Sequence, residues 1–324
     1  MFKILSLLEV TMIHNGLSII VPTLNREKIF NKTLHALFQA TIEIPHEVIV
    51  INDSKDSVPK IPEEYLGKIK LYNNPKKGLA SVRNFGLQLA SFEYILFIDN
   101  DIIIQKNTIH ELIKLSIKHP RMPINFNWTY PDFLINKANQ LQFGRYMIKN
   151  GFTSLKGYFK NSYWDDGNTF SPQLIAGFFL LITKTTINEV GGYHDLFPPT
   201  AEDFEFAVNL NKKNIKGLVD PTNIVFHNEE DRVDLQSWLK RQEHGAETKR
   251  VSVNFGYLEL EMNVTKFKKY INAFFFHTKT CWFLFLKLIP NFILFDPIYF
   301  SITNRLFAAH LQHGYYKKQV NDLK

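Results

Sequence analysis

Short apolar runs alternate with segments of helical periodicity over the first third of the chain. The runs predict four strands, at Leu17–Val21, Glu47–Ile51, Ile69–Tyr72 and Tyr94–Ile98, of which the first two are expected to be buried. Residues 28–40 and 78–90 have apolar positions at helical spacing. Because strands and helices alternate, the pattern predicts an α/β fold with a doubly wound, mostly parallel sheet flanked by helices.

The periodicity weakens at residues 120–172, where Pro, Gly, Asn and aromatic residues are mixed, and then returns. Long irregular segments within a domain are often functional. Beyond this stretch we predict strands at 174–183 and 217–226, and helices at 184–190, 202–213 and 235–249.

The C-terminal part of the chain has a different pattern. In residues 264–313, lysines interrupt blocks of aromatic and aliphatic residues. No uninterrupted apolar stretch there reaches the roughly 18 residues that indicate a membrane-spanning helix. We expect a helical, aromatic-rich extension that lies on a membrane surface, packs on the core or contacts a second copy of the chain.

Composition narrows the class of protein. The 324 residues are 45% hydrophobic and 21% charged, which is typical of a folded protein. A net charge of +7 suits anionic partners, or it reflects a lysine-rich solvated surface. Since no tight block of Lys and Arg with interleaved aromatics occurs, nucleic acid is not an expected partner. The single cysteine, Cys281, excludes an intrachain disulfide and fits a cytoplasmic location.

Two carboxylates follow the predicted strand at Tyr94–Ile98. Asp99 and Asp101 are one residue apart, so an extended backbone directs both to the same side. Oxygen ligands at a strand end suit Mg²⁺ or Mn²⁺. The sequence Asp99-Asn100-Asp101 is also typical of a turn, and both interpretations remain open from this motif alone.

Polar residues follow the other predicted strands as well. Thr23–Arg26 follows the first strand and Asp53 the second, at the sheet edge where ligands bind in such folds. Gly78 precedes a helix that carries Arg83, an arrangement suited to an anionic phosphate. The alternatives are ordinary loop residues and a solvated arginine on an amphipathic helix.

Two later motifs contain candidate catalytic groups. Glu202 and Asp203 begin a predicted helix, where they interact favourably with the helix dipole or deprotonate an acceptor hydroxyl. His227 ends a predicted strand. It either completes a metal site with Asp101 or has a structural role.

The order of these motifs resembles that of the family-2 glycosyltransferases, which are inverting enzymes of GT-A fold. The resemblance covers Leu17 to His227 through VPTLNRE, IND, GLASVRNFG, LFIDND, AGFFLLITK, GGYHD and AEDFEFAVNL. It implies a nucleoside-diphosphate sugar donor, with UDP as the first candidate for the nucleotide, and a Mn²⁺ or Mg²⁺ cofactor. It implies an acceptor hydroxyl on a glycan, on a lipid-linked sugar or on another glycoconjugate. Such acceptors occur in cell-surface polysaccharide and lipopolysaccharide synthesis.

The resemblance also implies roles for individual residues. Those implied to bind the nucleotide sugar are Pro22, Thr23, Asn25, Glu27, Asp53, Arg83, Asp99 and Asn100. Asp101 is the implied metal ligand, with Asp99 and His227 as further candidates. Asp203 is the implied general base, next to Glu202. The loop after the second predicted strand, Asn52–Asp56, lacks the glycine usual in the family. The nucleotide of the donor, UDP, GDP or dTDP, is therefore left open.

The expected domain organisation follows from the resemblance. Residues 1–16 form an arm or an upstream extension, with Met1 and Met12 both candidate starts, and residues 17–230 form the catalytic domain. Residues 17–119 are its nucleotide half and 120–230 its acceptor half, and 231–324 is the helical C-terminal region. We expect a cytoplasmic protein, peripheral on the inner face of the membrane if the C-terminal region binds it; a homodimer is the other expected assembly.

Two other functions remain open from the sequence. A nucleotidyltransferase also combines an α/β sheet with acidic metal ligands, but it usually has a glycine-rich basic loop after the first strand, which VPTLNRE lacks. A catalytically inactive nucleotide-sugar-binding or membrane-associated scaffold protein is the second alternative. The presence of Asp99, Asp101 and Asp203 together argues against it.

Overall fold

The computed structural model describes residues 16–158, 164, 167–172, 175–195, 202–231 and 233–317. Its strands are β1 (Leu17–Thr23), β2 (His46–Asn52), β3 (Ile69–Asn73), β4 (Tyr94–Ile98), β5 (Ile102–Ile103), β6 (Ile124–Thr129), β7 (Phe179–Thr183) and β8 (Leu218–His227). Its helices are α1 (Glu27–Ala40), α2 (Leu79–Leu89), α3 (Thr108–Lys118), α4 (Asp132–Asn139), α5 (Gln142–Lys149), α6 (Leu155–Tyr158), α7 (Lys184–Val190), α8 (Glu202–Lys212), α9 (Leu235–Asn254), α10 (Lys266–His277), α11 (Lys279–Leu288) and α12 (Asp296–Tyr316).

The strands form one eight-stranded sheet in the order β3-β2-β1-β4-β7-β6-β8-β5. The first four strands in this order are parallel to one another. β7 is antiparallel to both β4 and β6, β6 is parallel to β8, and β5 is antiparallel to β8. The sheet is therefore parallel in the half formed by β1 to β4 and mixed in the other half. Helices pack against it, so the fold is of the α/β class.

The chain divides into two compact units. The first comprises Met1–Pro131, Ser154–Leu196 and Glu202–Asn228, and the second Asp132–Thr153, Phe197–Ala201 and Glu229–Lys324. In the first unit, one core cluster buries side chains of the sheet against α2, α7 and α8, among them Ile20, Phe97 and Phe206. Burial of such side chains is the main stabilising contribution to the fold.

The second unit has an aromatic core of its own. Trp238 of α9 is 1% exposed and packs against Phe143 and Tyr146 of α5 and against Phe307 of α12. Arg145 and Asp296 form an ion pair at 2.7 Å that joins α5 to the start of α12. None of the helices within the described ranges combines the length and apolar character needed to cross a bilayer.

The structure corrects two of the predicted elements. The segment 120–172 contains strand β6 and three helices, whereas the sequence predicted irregular structure there. Within 174–183, regular strand begins only at Phe179, since Gly177 and Phe178 form a turn. The other predicted strands and helices are present, with differences of a few residues at their ends.

Candidate active site

Three loops meet at the carboxyl ends of β1, β2 and β4. β1 pairs in parallel with both other strands, so all three chains leave the sheet at the same edge. The Asp53 backbone N–H donates to the Thr23 carbonyl at 2.9 Å, and Asn100 Nδ2 donates to Thr23 Oγ1 at 3.2 Å. The loops after the three strands are thereby joined through Thr23, as their order along the chain predicts.

Asp53 fixes the loop that leads into α2. Its carboxylate accepts from Asn74 Nδ2 at 2.7 Å and from the Gly78 N–H, which is 3.2 Å from both carboxylate oxygens. Gly78 has a φ of +115°, a conformation that favours glycine. The Asp53 side chain therefore holds the start of α2 beside the sheet edge, and its contact with a nucleotide base stays a prediction.

The other residues predicted to bind the donor differ in exposure. Pro22 is buried inside β1, in register with Ile51. Asn25, with a φ of 51°, is exposed and accepts a hydrogen bond from Ser57 Oγ at 2.6 Å. Glu27 is exposed at the first residue of α1. Asn25 and Glu27 are thus accessible to a ligand at this edge, whereas the Pro22 side chain is buried in the strand and its contact with a donor stays a prediction.

Asp101 lies between a histidine and an arginine. It is 4% exposed, and its Oδ1 is 3.2 Å from His227 Nε2, while its other oxygen contacts the Arg26 guanidinium. The pairing of β5 with β8 brings these residues together, because Ile102 lies opposite His227 and the Asn228 N–H donates to the Asp101 carbonyl. The structure thus brings Asp101 and His227 together, and their binding of a metal stays a prediction.

The electrostatic environment keeps Asp101 ionised. Burial acts to raise the pKa of Asp101, but the charges and hydrogen bonds of His227 and Arg26 outweigh it and hold that pKa well below its usual range. The His227 ring packs edge-on against Trp128, with centroids 4.9 Å apart. A buried carboxylate oxygen beside an oriented imidazole nitrogen is a donor set that Mn²⁺ accepts, so the residues present fit the implied metal.

Arg83 is the centre of a second acidic cluster. Its side chain is 1% exposed and donates to Asp203 Oδ1 at 2.6 Å and to Glu202 Oε1 at 3.1 Å, and it lies 3.8 Å from Asp99 Oδ1. The Gly177 N–H donates to Asp203 Oδ2 at 2.7 Å. A Cβ at Gly177 would lie 2.3 Å from an Arg83 nitrogen, so the guanidinium can occupy this position only beside glycine.

Three carboxylates around one guanidinium leave excess negative charge. Burial raises the pKa of Glu202 to about 7, and the Asp203 charge adds to this effect while Arg83 opposes it. Burial likewise raises the pKa of Asp99 to about 6, against the effect of Arg83. A further positive charge at this edge would relieve the repulsion, which is consistent with a site for a cation.

The position of Arg83 differs from both interpretations of the sequence. It is buried, so the alternative of a solvated arginine is wrong. Its guanidinium binds acids of α8, and its predicted contact with the nucleotide stays a prediction. The sequence alone did not single out these partners because Glu202 and Asp203 lie 119 and 120 residues further along the chain.

Three further residues of the site were not assigned a role from the sequence. Arg26 contacts Asp101; the sequence indicated it only as one of the polar residues that follow the first strand, within the VPTLNRE motif. Tyr193, in GGYHD, exchanges two backbone hydrogen bonds with the Asn84 side chain, and the Arg83 guanidinium lies 5.1 Å from its ring centre. Trp128 belongs to the stretch without periodicity, and no sequence signal distinguished it.

Comparisons with known proteins agree with the motif order. Residues 18–169 match the model of Glycosyl transferase family 2. The chain is 34% identical over 140 residues to chondroitin synthase of Escherichia coli, covering 39% of this chain and 20% of that protein. It is 32% identical over 156 residues to hyaluronan synthase of Pasteurella multocida, covering 44% and 16%. The matched part of the chain thus corresponds to a fifth or less of each of these relatives.

A solved structure shows the same fold over most of the chain. The mannosyltransferase PcManGT from Pyrobaculum calidifontis, solved in complex with GDP-Man and Mn²⁺, superposes with a TM-score of 0.55 and 12% sequence identity. The match covers 94% of this chain and 88% of that one. The predicted α/β, GT-A-type fold is thereby confirmed. The family match covers residues 18–169, just under half of the chain, and over that part the chain is similar to the family-2 glycosyltransferases.

Proposed function

We propose that this protein is a metal-dependent, inverting glycosyltransferase that moves a sugar from a nucleoside-diphosphate sugar to an acceptor hydroxyl. The observation that carries the proposal is the pair of acidic clusters in one unit, Asp101 with His227 and Asp203 with Arg83. A domain of this family needs one carboxylate for the metal and another for the acceptor proton. The two clusters supply them separately.

Asp101 and His227 are the residues that would hold Mn²⁺ or Mg²⁺. Their oxygen and nitrogen donors are 3.2 Å apart, and the Arg26 guanidinium on the same carboxylate indicates that positive charge is favourable there. In this assignment Asp99 would contact the ribose of the donor or a metal-bound water. When bound, the metal would neutralise the charge that develops on the departing diphosphate.

Asp203 is the general base of the proposal. As the acceptor oxygen bonds to the anomeric carbon, the bond from that carbon to the diphosphate oxygen breaks, and the acceptor proton passes to Asp203. Attack from the face opposite the leaving group inverts the anomeric configuration. Arg83 and the Gly177 N–H hold the two Asp203 oxygens at 2.6 and 2.7 Å, which fixes the orientation of the base, and Glu202 shares the guanidinium.

The donor site occupies the edge formed by the loops after β1, β2 and β4. Residues proposed to contact the nucleotide sugar are Pro22, Thr23, Asn25, Glu27, Asp53, Arg83, Asp99 and Asn100. UDP is the first candidate for the nucleotide of the donor. The polysaccharide synthases among the relatives support an acceptor in cell-surface polysaccharide or other glycoconjugate synthesis, reached through residues 120–230 of a cytoplasmic enzyme.

A donor screen tests the proposal. UDP-, GDP- and dTDP-sugars are added to the protein with Mn²⁺ and thermal unfolding is recorded, because a bound donor stabilises the fold by mass action. The stabilising donor is then incubated with the protein, and the products are identified by mass spectrometry. Release of a nucleoside diphosphate and free or transferred sugar supports the proposal; pyrophosphate turnover would instead indicate a nucleotidyltransferase.

A further inference from the structure

The segment from Lys266 to Ile298, called here the aromatic segment, exposes an unusual amount of apolar surface. Of the 22 large hydrophobic side chains that are exposed among the described residues, ten lie in this segment. They are Phe267, Tyr270, Phe274, Leu284, Phe285, Leu288, Phe292, Ile293, Leu294 and Ile298. Exposed apolar groups at this density mark an interaction surface.

The exposed side chains are arranged along helix faces and one turn. Phe267, Tyr270 and Phe274 follow helical spacing on α10, and they are 74, 77 and 57% exposed. At the end of α11 the chain continues into a turn in which Ile293 and Leu294 are 75 and 82% exposed. Other side chains of the same helices, such as Leu286, belong to the buried core of the second unit. The segment is thus anchored on one side and apolar on the other.

The exposed charges of the aromatic segment have one sign. Between Lys266 and Phe295 there are five lysines and no aspartate or glutamate. Lys266, Lys268 and Lys287 are exposed. The next acid, Asp296, is buried and already paired with Arg145 at 2.7 Å. Positive charge beside exposed aromatic and aliphatic groups is complementary to a bilayer surface that carries anionic headgroups.

We propose that the aromatic segment docks on the surface of an anionic lipid bilayer. Its apolar side chains enter the boundary between headgroups and acyl chains, and its lysines contact the anionic headgroups. The helices α10 and α11 have 12 and 10 residues, too short for the roughly 20 that a span requires, so the segment lies in the interface. Trp282, partly buried against Phe275, belongs to a residue type favoured at this depth.

The charge distribution favours a bilayer over a second copy of the chain. In a two-fold symmetric dimer the same patch meets itself, so the lysines of one copy would approach those of the other. Asp296, the one acid of the segment, is buried and paired with Arg145, so it does not compensate that repulsion. Protein interfaces of this kind are depleted in lysine, whereas anionic bilayers attract it.

Vesicle sedimentation of the full chain tests the docking and has no sugar readout, so it stands apart from the glycosyltransferase proposal. Vesicles of phosphatidylcholine alone are compared with vesicles of phosphatidylcholine mixed with phosphatidylglycerol. We expect the protein to sediment with the mixed vesicles, and added potassium chloride to weaken this binding. Equal recovery in the supernatant with and without anionic vesicles would overturn the proposal.

A pair of matched variants tests the residues. Ile293→Ser with Leu294→Ser should lower the partition into anionic vesicles by about tenfold or more, because each aliphatic side chain gains free energy on leaving water. The control is Ile42→Ser with Val58→Ser, two residues of the other unit that are 72 and 61% exposed. Unchanged binding of the first variant, or equal loss in both, contradicts the assignment.

Charge and self-association are tested in the same way. Lys266→Gln with Lys268→Gln should weaken vesicle binding severalfold, whereas Lys213→Gln with Lys216→Gln, the same charge change elsewhere on the surface, should weaken it less.

Light scattering of the wild type and of the Ile293→Ser, Leu294→Ser variant tests whether a second copy of the chain covers the segment instead. A wild-type dimer that this variant converts to a monomer would show that a second copy, not a bilayer, covers the segment.

Discussion

The Arg83 guanidinium donates a hydrogen bond to Asp203 at 2.6 Å from a position where its side chain is only 1% exposed. Burial favours neutral groups, so this arginine stays charged only because the acids around it compensate for its lost hydration. Arg83 holds Asp203 in place and through Glu202 links α2 to the start of α8, so in the proposed mechanism it is a positioning residue.

Removal of the Arg83 charge should destabilise the fold strongly. Arg83→Met leaves Glu202, which is 2% exposed, without its cation, and we expect a loss of about 3–5 kcal/mol in the free energy of unfolding. The matched control is Arg121→Met, because Arg121 pairs with Glu189 but is 63% exposed, and it should cost less than about 1 kcal/mol. Urea unfolding measures both. Similar costs would show that burial of the Arg83 cluster has no energetic role.

Replacement of Asp203 tests the base assignment. Asp203→Asn keeps the size of the side chain but removes its basicity, and we expect kcat to fall by about 10²–10⁴-fold with donor affinity nearly unchanged. Asp195→Asn is the control, since Asp195 is also a paired acid of the first unit, bound to Lys76 at 2.9 Å. Wild-type turnover in a folded Asp203→Asn protein would remove the base from the mechanism.

The contact between Arg26 and Asp101 predicts how the protein binds Mn²⁺ in the absence of substrate. Asp101→Asn should abolish the rise in melting temperature that Mn²⁺ causes, because it removes an anionic ligand. Arg26→Gln should strengthen Mn²⁺ binding, since the guanidinium no longer competes for the same carboxylate. Thermal shift at graded Mn²⁺ concentrations measures both. A full Mn²⁺ response in Asp101→Asn would place the metal elsewhere.

Glu47 should make stability depend on pH. The side chain is 9% exposed and accepts from Ser18 Oγ at 2.6 Å, from the Ser91 N–H at 2.6 Å and from Lys70 Nζ at 2.7 Å. Burial acts to raise the pKa of Glu47, but the bonds from Lys70, Ser18 and Ser91 lower it overall. Its folded pKa is therefore below its unfolded pKa. The stabilisation is present above the unfolded value of about 4.3 and is lost as the pH falls through the folded value.

The lowered pKa of Glu47 predicts how the substitution Glu47→Gln changes stability. We expect it to cost about 1–2 kcal/mol of unfolding free energy at neutral pH, with a difference from wild type that narrows in acid. Glu111→Gln is the control, because Glu111 pairs with Lys114 on one helix, where its side chain is 35% exposed compared with 9% for Glu47. Denaturant unfolding at a series of pH values gives the comparison. A difference that is constant with pH would contradict the charged state of Glu47.

Most of the nucleotide half of the fold could be predicted because β1, β2 and β4 contain continuous apolar runs. β6 could not, since its sequence INFNWT contains two asparagines, which are unfavourable in strands. Asn125 is nevertheless buried, where its amide donates to the carbonyls of Ala176 and Phe179 at 2.8 and 2.7 Å. These bonds come from distant residues, so the short-range pattern carries no trace of them.

The candidate site shows the same limit. Asp99 and Asp101 could be identified because they follow a recognisable strand, and His227 because it ends one. The partners of Asp101 and Arg83 depend on how strands and helices far apart in sequence meet: Arg26 lies 75 residues from Asp101. Residue types and motif order indicated the chemistry, while the tertiary structure showed which charges neutralise one another.

The most direct test of the account is the release of nucleoside diphosphate from the stabilising donor in the presence of Mn²⁺. We expect the wild-type protein with an acceptor to release it, chelation by EDTA to stop the release, Mn²⁺ to restore it, and Asp101→Asn to remain inactive throughout. Release that continues unchanged in EDTA or in Asp101→Asn, or no release from any nucleotide sugar tested, would contradict the proposal of a metal-dependent glycosyltransferase.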